Sequence, residues 1–196
     1  MKRCSWVDLL SEEYVRYHDC EWGEPVYNDK KLFEMLILEG FQAGLSWLTI
    51  LKRRAEFAKA FDDFDVKKIA AYDEQKISQL MQNEKIIRNR LKIQAAVSNA
   101  RAFMQIQKEW GSFSKYLWHW TDGQIIQGNG TLTRSELSDK ISVDLRKKGM
   151  KFVGSVIIYS FLQAVGVIYD HQKECEKFKK HTNKYKKVLD KGGQDG

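Results

Sequence analysis

Two cysteines and two histidines near opposite ends of the chain form a set that could bind a metal ion. Cys4 and His18 lie near the N-terminus. His171 and Cys175 are four residues apart, a spacing that places both side chains on one face of a helical turn. Two thiolates and two imidazoles complete the closed tetrahedral coordination of structural zinc, so we predict a zinc site that ties the N-terminal segment to the last helix. Cys20 is a competing thiol, and unrelated core or surface positions are the alternative for all four side chains.

A single carboxylate lies in an apolar stretch that is rich in aromatic neighbours. Glu39 stands beside Gly40 in the segment from residue 38 to 48, LEGFQAGLSWL. A carboxylate among aromatic rings can bind a flat, cationic or amino-bearing ligand by stacking and hydrogen bonding. The alternative is an aromatic core in which Glu39 is satisfied at a helix end. The candidate neighbours are Trp6, Tyr14, Tyr17, Trp22, Gln42 and Trp47.

The segment from residue 142 to 166, SVDLRKKGMKFVGSVIIYSFLQAVG, predicts two helices joined by a short turn. Gly149 ends the first helix, and Gly154-Ser155 begins the second. A helix N-terminus presents backbone N–H groups to an anion, and glycine lets a phosphate approach closely. Lys148 and Lys151 add positive charge. An ordinary glycine-bounded turn is the alternative.

Helices must position these groups, because a helical period of apolar residues recurs along the chain without comparable strand alternation. A second predicted helix, after the one that carries Glu39, places Leu45, Leu48 and Leu51 on one face. The stretch 121–133 predicts a loop or a short extended segment, and the longest helical pattern spans 84–109. The predicted caps are Asn28 or Asp29, Asp65, Asp73, Ser112 or Ser114, and Thr133, Ser138 or Ser142. The fold class predicted is all-α.

Length and composition indicate a folded soluble protein. The 196 residues are 43% hydrophobic and 12% aromatic, which excludes a chain that is disordered throughout. A single proline and 13 glycines are too few turn residues for an all-β sandwich. We expect a cytoplasmic protein with no membrane partner, because no apolar run is long enough for a signal peptide or a membrane span. Three cysteines are too few for a disulfide framework.

The formal charge of +7 is unevenly distributed. Residues 176–196 contain seven lysines and three acidic residues, so +4 of the charge lies there. We predict one domain over residues 1–175, followed by a basic, flexible tail over 176–196. A non-specific phosphate-binding arm is the alternative for the tail.

Six segments, in order over residues 2 to 175, carry one resemblance. They are RCSWV (3–7), YHDCEWGEP (17–25), KKLFEMLILEGFQAGLSW (30–47), IIRNRLKI (86–93), KKGMKFVG (147–154) and the Asp170-His171…Cys175 ending. Together they resemble the bacterial 3-methyladenine DNA glycosylase I family of the helix-hairpin-helix glycosylase superfamily. The resemblance implies a helical glycosylase-like fold and excision of 3-methyladenine from double-stranded alkylated DNA. We expect a monomer that releases the free base.

The same resemblance implies a role for each group of residues. Glu39 falls on the base-recognising carboxylate, and Tyr17 and Trp47 fall on the stacking aromatics. The other pocket positions are Trp6, Tyr14, Trp22 and Gln42. The DNA-contacting positions are Gly149, Lys151, Gly154 and Ser155 in the hairpin and Gly44 and Leu45 in a turn that approaches the gap in the duplex. One structural Zn²⁺ falls on Cys4, His18, His171 and Cys175.

The chain departs from the family pattern at Cys20, where Asn is commoner, and at Phe41, where a smaller residue is common. Asp170 is expected to orient His171, with a general base as its alternative role. No lysine stands out as a Schiff-base nucleophile, so hydrolysis without strand cleavage is expected. Two other functions fit the residues: a non-catalytic, zinc-stabilised DNA-binding module, and a basic helical protein that binds RNA or another partner through its tail.

Overall fold

Helices account for most of the chain in this computed structural model, which describes residues 1–179. A two-residue parallel pair of strands, absent from the all-α prediction, joins the 121–133 stretch to the segment before Asp170. The α-helices are α1 Glu12–Cys20, α2 Asp29–Gln42, α3 Trp47–Ala60, α4 Val66–Ala70, α5 Glu74–Gln82, α6 Arg90–Trp110, α7 Phe113–His119, α8 Glu136–Lys147 and α9 Ser155–Ala164. Asp62–Phe64 is a 3₁₀ turn, and the strands are β1 Ile126–Gln127 and β2 Ile168–Tyr169.

Side-chain caps set where the helices begin. Asn28, Asp65, Asp73 and Ser112 each accept a hydrogen bond from a backbone N–H of the first turn, as predicted. The cap of α8 is Ser135, which forms a capping box with Ser138, and not the residues that the sequence suggested.

Two helices begin later than the hydrophobic pattern predicted. Ser46 caps α3 by accepting a hydrogen bond from the Thr49 N–H at 3.2 Å, so Leu45 lies outside the helix in a turn. Leu45 is 36% exposed and does not pack on the helix face expected for it. Similarly, Asn89 caps α6 and leaves residues 84–89 as a turn. In both cases the capping side chain fixes the first residue of the helix, whereas the apolar spacing alone places the start several residues earlier.

The core is built around α2, which contacts α3, α6, α7 and α9. Its residues from Leu32 to Phe41 are buried apart from the partly exposed Glu34. Because α2 is surrounded on most sides, it is a fixed support for any polar group that it carries.

The described part of the predicted tail packs against the N-terminal region. Residues 176–179 continue in a helical turn, and the Lys177 ammonium pairs with Glu24 at 2.8 Å. The rest of the predicted tail, 180–196, lies outside the described residues. None of the helices within residues 1–179 combines the length and apolar character needed to cross a bilayer.

Candidate active site and metal centre

A cleft of about 320 Å³ opens between α1, the C-terminal end of α2, α9 and the loop 130–133. All seven side chains predicted to form a pocket line it: Glu39, Tyr17, Trp47, Trp6, Tyr14, Trp22 and Gln42. In the opposite wall the sequence indicated only Asp170, as a possible general base; that wall includes Gly130, Thr131, Leu132, Thr133, Ser160, Gln163, Asp170 and Gln172.

Glu39 is the carboxylate of the cleft. It lies in the last turn of α2 and is only 4% exposed. No hydrogen bond from the residues at positions 1–179 reaches its carboxyl group, and burial raises its pKa from about 4.5 to about 8. A buried carboxyl group without a partner is costly, so the cleft is built to receive a ligand that supplies positive charge or a hydrogen-bond donor.

The aromatic side chains form two walls beside Glu39. Tyr14 and Tyr17 are three residues apart in α1, so both face the cleft. The Tyr17 and Trp47 ring centroids are 5.3 Å apart with an interplanar angle of 49°, so these two rings contact each other and form one wall. Trp6 meets Trp22 edge to face at 4.8 Å on the other side. A flat heterocycle would therefore enter between aromatic faces with Glu39 at its edge.

The opposite wall is held by Asp170. Its carboxylate accepts hydrogen bonds from the Gly130 N–H at 2.6 Å, from Gln163 at 2.6 Å and from the Tyr159 hydroxyl at 3.1 Å. With its oxygens occupied in this way, Asp170 is a positioning residue for the loop and is unsuited to serve as a general base. The loop places Leu132, which is 49% exposed, at the mouth of the cleft.

Gly128→Ala tests how tightly this loop is fixed. A Cβ at position 128 would lie 2.0 Å from Asp170 Oδ1, a distance that no packing adjustment of a few tenths of an ångström relieves. We expect a loss of about 1–3 kcal/mol in the free energy of unfolding. Urea denaturation measures this loss. The matched control is Gly123→Ala, since a Cβ at position 123 meets nothing within 4 Å, although its φ of +74° carries a backbone cost of its own.

The four predicted metal ligands converge in one buried cluster. Cys4, His18, His171 and Cys175 each offer one donor atom, and all four atoms lie within 4.8 Å of one another. The Cys175 Sγ is 3.5 Å from His18 Nε2 and 3.6 Å from His171 Nδ1. The segment from His171 to Cys175 is a turn and not the helix that the four-residue spacing suggested. This cluster could hold a metal ion.

Hydrogen bonds outside the cluster orient both imidazoles. His18 Nδ1 pairs with Asp19 at 2.8 Å, and Asp19 in turn accepts from the Arg3 guanidinium at 2.7 Å. His171 Nε2 lies 3.2 Å from the Trp22 carbonyl oxygen. Each ring therefore directs its other nitrogen inward, an arrangement typical of metal-binding histidines. The predicted orienting residue was Asp170, acting on His171; for His18 this role belongs to Asp19, which the sequence did not single out.

The thiols of the cluster and the remaining cysteine lie in different surroundings. Cys4 and Cys175 are buried, and burial raises the pKa of the Cys4 thiol to about 12. Burial also lowers the pKa of His18, which keeps that imidazole neutral. Cys20 is exposed at the end of α1 and is outside the cluster, so the competing assignment is not supported.

The metal-ligand cluster and the cleft share a wall. The Trp22 ring meets the His171 imidazole at 4.7 Å, and the Trp6 ring meets His18 at 5.3 Å. Both tryptophans also line the cleft. The position of the cluster therefore sets the position of one aromatic wall.

The predicted hairpin joins α8 to α9. Gly149 follows α8 with φ +90°, a conformation that favours glycine. Gly154 is the N-cap of α9 and provides no side-chain hydrogen bond to the first turn. The Ser155 hydroxyl is bonded to Asp139 and to the Ser138 hydroxyl, so this residue offers an anion its backbone N–H. Lys151 is exposed in the turn.

The turn between α2 and α3 lies at the edge of the cleft. Gly44 has φ +79°. The Gln42 side-chain amide donates to the Leu45 carbonyl oxygen at 2.7 Å. This bond links a residue that lines the cleft to an exposed leucine outside it.

Comparisons with known proteins agree with this geometry. A family model described as methyladenine glycosylase matches residues 6–179. The DNA-3-methyladenine glycosylase 1 of Escherichia coli strain K12 is 44% identical over 180 residues, which cover 89% of this chain and 96% of that protein. A crystal structure of 3-methyladenine DNA glycosylase I has a TM-score of 0.86 at 44% identity and covers 89% of this chain and 98% of that one. A variant of 3-methyladenine DNA glycosylase I in complex with 3-methyladenine gives a TM-score of 0.86 at 37% identity, over 90% of this chain and 97% of that one.

Proposed function

The chain belongs to the methyladenine glycosylase family, and we infer that it hydrolyses the N-glycosyl bond of 3-methyladenine in alkylated DNA. The observation that carries this function is the buried, unpaired Glu39 carboxyl group in an aromatic cleft. A relative of the same fold is described in complex with 3-methyladenine. Residues 1–175 supply every side chain that the proposal uses, and we propose that they act as one catalytic unit.

Recognition rests on charge and stacking. Methylation at N3 makes the adenine of the nucleotide formally cationic, and a cation beside Glu39 replaces the solvation that burial removed. Neutral adenine offers no such compensation, so binding of the unmethylated base in the cleft is disfavoured. Because a base in duplex DNA is inaccessible, the nucleotide must be extruded at a cost of a few kcal/mol. Stacking on Tyr17 and Trp47, at about 1–3 kcal/mol per base, offsets part of this cost.

Bond cleavage requires little acid catalysis from the protein. The bonding electron pair leaves with the base, which becomes neutral, and the positive charge passes to an oxocarbenium-like sugar. Water adds to the anomeric carbon and loses a proton. The cationic nucleotide favours the anionic form of Glu39, so the carboxyl proton passes to solvent on binding, and the anion then stabilises the positive charge throughout these steps. Once the base is neutral, its attraction to Glu39 falls, which favours release of the product.

We propose that the Cys4, His18, His171 and Cys175 cluster holds one structural Zn²⁺. Two thiolates and two imidazoles with no open position are typical of structural zinc. With Zn–S near 2.3 Å and Zn–N near 2.0 Å, a tetrahedron requires S to N separations of about 3.5 Å, and three of the four in the cluster are 3.5, 3.5 and 3.6 Å. The metal would supply cohesion between the chain ends, and no step of the reaction involves it.

We propose that the hairpin from Gly149 to Ser155 grips the DNA backbone in a helix-hairpin-helix manner. The N-terminus of α9 lacks a side-chain cap, which leaves its first N–H groups available for a phosphate. Lys151 adds a cation beside them. On the same proposal the exposed Leu45 approaches the gap that the extruded nucleotide leaves, because apolar side chains commonly fill such gaps.

The direct test is the appearance of free base. Purified protein is incubated with methylated duplex DNA, and the released bases are separated by chromatography. Release of 3-methyladenine with an intact sugar–phosphate backbone supports monofunctional hydrolysis. Tight binding to the DNA without any released base would indicate the non-catalytic DNA-binding module.

Gly154→Asp is expected to weaken binding to damaged and undamaged duplex alike, by about tenfold or more, because a carboxylate would occupy the phosphate position. The backbone tolerates this change: φ of Gly154 is −61°, and an added Cβ would meet only Arg146 Nη2, at 3.7 Å. Fluorescence anisotropy with labelled duplexes measures the affinity. Gly154→Ala is the control, since it leaves the N–H groups open, and equal affinities for the two variants would contradict this role of the hairpin.

A further inference from the structure

Two buried polar side chains lie on one face of the long helix α6. Lys92 is 7% exposed and Asn99 is 4% exposed, and they are the buried polar residues of this helix. They are seven residues apart, so they project in nearly the same direction about 10 Å from each other. Each contacts the backbone of a different loop.

Lys92 holds the end of α2. Its ammonium group donates to the carbonyl oxygens of Phe41 at 2.8 Å and Ala43 at 2.6 Å. The last carbonyl groups of a helix lack partners within it, and the last turn of α2 contains no basic residue of its own. The lysine from α6 therefore fixes the chain at the point where α2 leads into the Gly44-Leu45 turn.

Asn99 holds the hairpin. Its side-chain amide donates to the Lys151 carbonyl oxygen at 2.9 Å, and its side-chain oxygen accepts from the Lys151 N–H at 2.8 Å. A pair of bonds to one residue fixes both the position and the orientation of that peptide segment. The Lys151 side chain remains exposed on the other side of the turn.

The hairpin also contacts α2 itself, beside Glu39. A Cβ built at Gly40 would lie 3.6 Å from the Phe152 Cβ, so the hairpin packs on α2 at the residue after Glu39. The Lys92 ammonium lies 5.9 Å from the Phe152 ring. The hairpin and the end of α2 therefore lie side by side next to Lys92.

Burying an ammonium group is costly, and burial lowers the pKa of Lys92. Packing alone would be served by an apolar side chain at either position. Polar side chains at both positions are explained if they hold the hairpin and the Gly44-Leu45 turn at a fixed separation. A hairpin that binds phosphate and a turn that enters the gap in the duplex require such a fixed separation.

We propose that α6 is a strut that sets the spacing between the hairpin and the Gly44-Leu45 turn, with Asn99 and Lys92 as its positioning residues. This rests on the proposed function, in which the hairpin binds the DNA backbone and the turn assists base extrusion. The two residues then act on different steps: Asn99 on binding to any duplex, and Lys92 on extrusion and excision.

Lys92→Met and Asn99→Leu separate these steps, with binding to undamaged duplex and single-turnover release of 3-methyladenine measured for each. We expect Lys92→Met to excise about tenfold or more slowly while binding undamaged duplex within twofold of the wild type. We expect Asn99→Leu to bind both duplexes about tenfold more weakly, with its excision rate at saturating enzyme within threefold of the wild type. Lys92→Arg, which keeps a cationic donor, should recover most of the excision rate.

Ser98→Ala is the matched control on α6, because among residues 1–179 the Ser98 hydroxyl bonds only to the Ala95 carbonyl oxygen, within its own helix. Lys92→Gln, which keeps one donor group, replaces Lys92→Met if the latter does not fold by circular dichroism. Parallel losses of binding and excision in both variants, or a wild-type excision rate in the Lys92 variant, would overturn the strut. Absence of excision by the wild-type protein would instead overturn the proposed function.

Discussion

Replacing Glu39 by Gln is expected to reduce release of 3-methyladenine by about 10²-fold or more. The amide keeps the shape of the side chain but cannot carry the negative charge that the cationic nucleotide and the developing sugar cation require. Binding to undamaged duplex should stay within twofold, because the hairpin is untouched. A single-turnover assay with methylated DNA measures the rate, and an unchanged rate would remove Glu39 from the mechanism.

The same substitution should stabilise the free protein, and the gain should depend on pH. The pKa of Glu39 is about 8 in the folded chain, above the ordinary value near 4.5 that it takes in the unfolded chain. Below about pH 4.5 the wild type therefore bears no cost for burying a charged carboxylate. Its free energy of unfolding falls as the pH rises to about 8, and above that pH the full cost is present. Urea denaturation should show that the gain in the free energy of unfolding from Glu39→Gln is several-fold larger at pH 9 than at pH 5. A gain that is independent of pH would mean that Glu39 is not the group that titrates.

Cys175→Ala is expected to abolish metal binding and to lower the free energy of unfolding by about 3–5 kcal/mol. This corresponds to a fall in Tm of roughly 10 °C or more for a chain of this size. The variant loses one of four ligands at a site where the N-terminal segment meets the segment that follows β2. Metal analysis of the purified protein, together with calorimetry, measures both effects.

Cys20→Ala provides a matched control for the metal site. Cys20 is an exposed cysteine that lies outside the cluster, so its removal should leave one zinc per chain and an unchanged Tm. A wild-type protein that is free of metal and as stable as Cys175→Ala would exclude the zinc proposal. The rate of excision should also fall in Cys175→Ala, because Trp22 and Trp6, which line the cleft, pack against the histidines of the cluster.

The parts of the site that could be predicted from the sequence are those encoded by residue type. Cysteine and histidine at both chain ends, a carboxylate among aromatics, and a glycine-bounded turn each have few chemical uses, and the structure places the first two sets together. The starts of α2, α4, α5 and α7 followed from capping residues that the sequence shows. The start of α3 did not, because apolar spacing extended through Leu45 while Ser46 supplied the cap.

The parts that could not be predicted depend on long-range contacts between ordinary residues. Asp170 bonds to Gly130, forty residues away, and Lys92 bonds to carbonyl groups about fifty residues away. Backbone carbonyls carry no sequence signal, so nothing in the pattern marks their partners. The role of Asp19 could have been predicted, since this residue directly follows the predicted ligand His18 and carboxylates commonly orient metal-binding imidazoles.

The ligand cluster has a consequence for how the protein is made. Its last ligands are residues 171 and 175, so the residues of α1 to α9 are all synthesised before either of these ligands. Until then Trp22 lacks the imidazole against which it packs, and the cleft lacks the Asp170 that holds its far wall. Chains that stop before these residues would therefore lack both the ligand cluster and the far wall of the cleft, and competence to act on damaged DNA would require synthesis through residue 175.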